Sequence, residues 1–137
     1  MQRGEELYSQ GADAYVQQIV KEYLDAYYGD FADDVANVIN YYQNAYGGVV
    51  IGQNKAFKQI SRNNHATAMT YIDNAIARCS DQVILKRLYA IKASCLAGMW
   101  QTATTSKQKT ADKADFKTYA ALAGITVWSE GVLIENL

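Results

Sequence analysis

One histidine, two cysteines and a few neighbouring carboxylates are the residues whose types and spacing could do chemistry in this chain. Nucleophilic catalysis would need His65 beside a thiol or hydroxyl, with the imidazole taking the proton as the nucleophile attacks. No Ser, Cys or Asp stands in such an arrangement with His65 along the sequence. A metal centre needs more ligands than one lone His adds to Cys79 and Cys95. Those two cysteines flank an expected helix turn at Ser80 and Asp81. In an antiparallel hairpin Cys95 would lie about 14 residues beyond the turn, roughly 21 Å away, too far for a disulfide. Free thiols in a reducing cytosol are expected. Asp33 and Asp34 are adjacent and would point about 100° apart on a helix, wrong for sharing a proton or a metal. Glu22 and Asp25 share a face but lack the Glu-x-x-His partners of di-metal bundles. The run from Gly47 to Gly52 has neither the Lys-Ser/Thr of a phosphate loop nor a strand before it. No cofactor is implied, and a chain without enzymatic activity is expected.

Arg62-Asn63-Asn64-His65 superficially resembles the Arg-to-His motif of the HEPN ribonucleases, which are small all-α domains, but two residues separate Arg and His here. That spacing is tighter than the family's and does not reproduce its geometry. The hairpin expected around Ser80 is similar to one unit of a tetratricopeptide array, yet no copy recurs at the period of about 34 residues that such arrays require.

Charge and tyrosine are distributed unevenly. Residues 1–46 hold eight acids against Arg3 and Lys21, a net of −6, and residues 47–137 hold eleven bases against six acids, a net of +5. Eight of the eleven tyrosines also fall within the first 46 residues. Tyrosine tolerates half-burial because its ring is apolar and its hydroxyl reaches water, one reason interfaces favour it. Tyr28 and Tyr41 fall outside the main apolar stripes and, with Asp33 and Asp34, form the expected protein-binding surface. Lys55, Lys58 and Arg62 would share one face of a continuous helix, and Lys86 and Arg87 extend this candidate surface for anions or nucleic acid. Nucleic-acid binders usually have a basic balance over the whole domain, whereas this chain is slightly acidic at −1.

These residues must be positioned by helices. The absence of proline removes the strongest helix breaker, and half the residues are apolar, enough for a core. Apolar spacing predicts a helix from Glu5 to Tyr28 with Tyr15, Val16, Ile19, Val20, Tyr23, Leu24 and Tyr27 on its stripe, stopped by Gly29. A second, capped by Asp30, carries Phe31, Val35, Val38, Ile39, Tyr42 and Tyr46 inward and stops at Gly47. Val49 to Gly52 reads as a buried connector. Helices from Gln53 to Ser61 and from His65 to Cys79 follow, separate or as one bent helix, with Asn63 or Asn64 as the cap between. Asp81 opens a fifth, Gln82 to Trp100, with Gly98 as a stop. Gln101 to Ala111 reads as a mobile loop, and Asp112 caps a last helix through Ile134 that is apolar on several sides.

The expectation is an all-α protein, residues 1–137 forming a single compact bundle of five or six helices. It is cytoplasmic, with neither an export signal nor a membrane span. Its expected function is protein-protein binding as a structural subunit, scaffold or inhibitor, including self-association through complementary acidic and basic faces. A subunit of a nucleoprotein assembly is the alternative, and an enzyme with an unrecognised site the third reading.

Overall fold

A computed structural model of the protein describes residues 12–46 and 60–137. Among the described residues the protein is mostly helical and of the all-α class, with one short two-stranded hairpin. Its helices are α1 (Ala12–Tyr28), α2 (Ala32–Ala45), α3 (Arg62–Arg78), α4 (Gln82–Thr102) and α5 (Ser106–Ala123). The hairpin pairs β1 (Val127–Ser129) with β2 (Val132–Leu133) in antiparallel register. The predicted connector at Val49 to Gly52, most of the helix from Gln53, and the first turns of the helix from Glu5 lie outside the described residues.

Local chemistry fixes the helix starts. The Ser61 hydroxyl accepts from the Asn64 amide at 3.2 Å while the Asn64 side chain accepts from the Ser61 amide at 3.1 Å, a capping box that starts α3 at Arg62. The expected start at His65 is thus late by three residues. Ser61 is extended (φ −81, ψ 165), so no continuous helix runs into α3 from before it. Asp81 accepts from Val83 and Ile84 and starts α4 as expected. Thr105 accepts from Gln108 and starts α5, so most of the stretch expected to be a mobile loop is helix. Asp30 makes no cap. A single 3-10 turn, Gly29–Phe31, feeds α1 directly into α2.

Helices α2, α3, α4 and α5 each pack on the next, and α1 packs on α2 while touching α4. Two apolar clusters flank α4. Leu24, Val35, Val38, Ile72, Leu88 and Cys95 fill the space among the first four helices. Ala93, Leu96, Met99, Phe116, Ala120 and Ile134 fill that between α4, α5 and the C-terminal segment. The last helix ends at Ala123 rather than near Ile134, because Gly124 (φ 76) adopts the left-handed cap conformation that turns the chain back. That return places Trp128 with ring centroids 5.3 Å from both Trp100 and Phe116, closing the second cluster.

Candidate protein-binding surface

His65 is half-buried and caps no helix. Its ring occupies the place of a Cβ on Gly98: an added methyl there would stand 2.4 Å from ring atoms. Gly98 is thus no helix stop but the mid-helix gap that lets α3 approach α4. His65 Nδ1 lies 2.8 Å from the Tyr42 hydroxyl, which is 3.5 Å from Cys95 Sγ. This is a part-buried polar chain joining α2, α3 and α4. Burial lowers the pKa of His65 and raises those of Tyr42 and Cys95, so all three are held neutral. A nucleophilic thiol needs the opposite shift, toward thiolate beside imidazolium. The chain links three helices at the edge of the core, and burial favours the protonated thiol of Cys95.

Two of the basic candidates, Arg62 and Arg87, are engaged within the molecule. Arg62 donates two hydrogen bonds to Asp112, Nε at 2.7 Å and a terminal nitrogen at 3.0 Å. Asp112, expected to cap the last helix, is instead buried at 3% exposure in its middle, as the acceptor of this bidentate pair. Arg87 donates at 2.6 Å to the carbonyl of Tyr27, in the last turn of α1, and its guanidinium lies 3.8 Å from the Tyr27 ring centroid. Lys86 reaches over Gly124, with Nζ 3.0 Å from where a Cβ would stand, at the carbonyl end of α5. Cations at such ends complement the helix dipole. Lys55 and Lys58 lie outside the described residues, and the extended backbone of Ser61 interrupts the helix that would align them with Arg62.

The acidic, tyrosine-rich candidates divide. Asp33 is exposed, whereas Asp34 pairs with Arg78 at 2.7 Å, one point where the acidic and basic parts of the chain neutralise each other. The other ion pairs seen, Lys21–Asp25, Arg62–Asp112 and Lys92–Asp73, stay within one part. Tyr28 and Tyr41 are not the exposed aromatics. Both pack against the core, and the Tyr41 hydroxyl accepts from the Asn64 side chain at 3.0 Å.

An exposed aromatic and aliphatic surface lies instead on the stripe of α1 that was expected to face inward. Leu24 alone among the α1 residues described is buried. Val16 (56%), Ile19, Val20, Tyr23 (61%) and Tyr27 are exposed. At 3.6 residues per turn these five fall within an arc of about 100°, next to the arc that carries Leu24. Tyr23 and Tyr27 stack with planes 9° apart and centroids 5.7 Å apart, and Tyr28 meets Tyr27 edge-on at 4.9 Å. Arg87 closes this ladder from α4. Beside it runs a groove of about 510 Å³ lined by Tyr27, Gln82, Val83, Lys86, Arg87 and Ala123, with Val83 also exposed. Arginine and tyrosine held rigidly in place around an apolar groove are the usual anchors of protein interfaces.

Comparison with family models, with curated proteins and with solved structures finds no match to this chain. Among the described residues no helix is long and apolar enough to cross a membrane, and no cluster of three or more metal-ligating side chains occurs.

Proposed function

We propose that this chain is a non-enzymatic, cytoplasmic protein that acts by binding protein, as a single bundle of five or six helices serving as a structural subunit or scaffold. The observation that carries the reading is the outward stripe of α1, Val16 to Tyr27, running into the groove at Val83, Lys86 and Arg87. An amphipathic helix of this length gains most of its stability from packing one apolar face. With one buried residue and five exposed apolar ones, α1 has most of its apolar surface still to cover. The polar chain Tyr42–His65–Cys95 supports the absence of catalysis, since its protonation states are those of a core. The engaged side chains of Arg62 and Arg87 leave the nucleic-acid reading without a specific support.

The test is a photo-crosslinking residue placed at Tyr23 in the producing cells, with Lys109 on the exposed part of α5 as the control position. A discrete protein adduct is expected from position 23 and not from 109, and it should vanish when Ile19 is changed to Ser. Adducts that are equal at both positions, or absent from 23, overturn the reading.

A further inference from the structure

Resting on that reading, we infer that the partner covering α1 is a second copy of this chain, the two α1 helices lying antiparallel across a two-fold axis. The spacing of the stripe suits a helical occupant. Val16, Val20, Tyr23 and Tyr27 succeed one another at intervals of four, three and four residues, the alternation by which one helix packs its seam against another. A helix is therefore the occupant this face fits, and the chain itself supplies one with the same exposed seam.

The stripe is also self-complementary. The four positions are symmetric about their midpoint, so an antiparallel copy sets Val16 opposite Tyr27 and Val20 opposite Tyr23, twice each. Every large ring then meets a small β-branched side chain, and the interface is isologous and closes at two subunits.

Charge decides the direction. Lys86 and Arg87 stand together at the Tyr27 end of the stripe. Parallel pairing would bring both pairs of cations face to face. Antiparallel pairing separates them by about the length of the stripe, roughly 16 Å at 1.5 Å per residue, beyond a screening length of about 8 Å at physiological salt. The helix dipoles are opposed in the same arrangement.

The experiment uses the full chain. Sedimentation equilibrium over a concentration series up to about 1 mM, where even weak association registers, should fit a monomer-dimer equilibrium with no larger species. V20D sets an unpaired carboxylate in the seam of each copy and should weaken the dimer by about 100-fold or more. Its circular dichroism and monomer melting should match the parent, because position 20 is exposed in the monomer. Mixing V20C with Y23C copies under mild oxidation reads direction: antiparallel pairing gives the mixed disulfide in excess over the two homodisulfides, with peptide mapping to separate it from bonds to Cys79. A monomer at all concentrations, excess homodisulfides, or growth beyond two subunits each overturns the proposal. If the chain is monomeric and position 23 still crosslinks to a different protein, the binding role stands and only the second copy is rejected. If position 23 yields no adduct, both fall.

Discussion

Helices α1 and α4 are both continuous, both rich in apolar residues, and placed in the molecule in opposite ways. Helix α4 buries Leu88, Ala93, Cys95, Leu96 and Met99 and has apolar neighbours on both sides, whereas α1 buries Leu24. The difference is not in helix-forming tendency, since neither holds a proline and each has apolar residues at helical intervals. It lies in what surrounds them: α4 is flanked by α3 and α5 within the chain, and α1 has α2 on one side and an uncovered seam on another. Periodicity reports that a helix has an apolar face and is silent on which molecule covers it. The comparison predicts that substitutions in α4 cost folding stability, while substitutions on the α1 seam cost association.

The largest expected effect is at Leu88, which is fully buried in the cluster among the first four helices. Leu88→Ala removes buried methyl groups and leaves a cavity that the neighbouring helices fill only partly. The expected loss is about 3 to 5 kcal/mol, measured by urea unfolding with an unchanged slope. A loss under about 1 kcal/mol would mean that α4 is not the centre of the fold and would remove one side of the comparison.

Next comes Asp112. Changing it to Asn keeps the size and deletes the charge, stranding a guanidinium that is 28% exposed against a carboxylate site that is 4% exposed. Breaking a fully buried pair costs about 3 to 5 kcal/mol, and the partial exposure of Arg62 brings the expectation to about 2 kcal/mol. Thermal melting of D112N beside D115N, whose acid is exposed on the same helix, checks it. Equal melting temperatures would show that the pair does not hold α3 to α5.

Legibility in the sequence follows the same divide. Helices whose apolar face is covered from within were readable, as Ile72 and Leu88 at the α3–α4 contact illustrate. The Asp81 cap was readable because a cap is a local interaction. Asp112 was not, since its partner Arg62 stands fifty residues away and an acid before apolar residues looks like a helix start. The polar first turns of α5 hid a helix whose Thr105 cap was the available signal. The β-branched run Ile125, Thr126 and Val127 after Gly124 announced the hairpin that apolar content alone disguised as more helix. Among the tyrosines, the choice of Tyr28 and Tyr41 as the exposed ones failed because falling outside one stripe does not specify exposure, and Tyr23 and Tyr27 on the α1 stripe are exposed instead.

The smallest effect expected is at Ile19, and its smallness is what gives it meaning. Ile19 is 45% exposed and lies on the seam beside Val16 and Val20. A core isoleucine truncated to a small polar group would cost several kcal/mol, about the amount expected at Leu88. Ile19→Ser removes no intramolecular core contact, so the monomer's unfolding free energy should shift by no more than about 0.5 kcal/mol, the range of ordinary surface positions. Denaturation must be followed at a protein concentration where the monomer dominates, because any dimer adds to apparent stability by mass action. A near-zero shift there, together with a parental melting temperature that rises with protein concentration in the unsubstituted chain and not in I19S, separates a seam built for association from one that merely decorates a helix. A loss as large as that of Leu88→Ala would place Ile19 in the core and erase the distinction between the two helices.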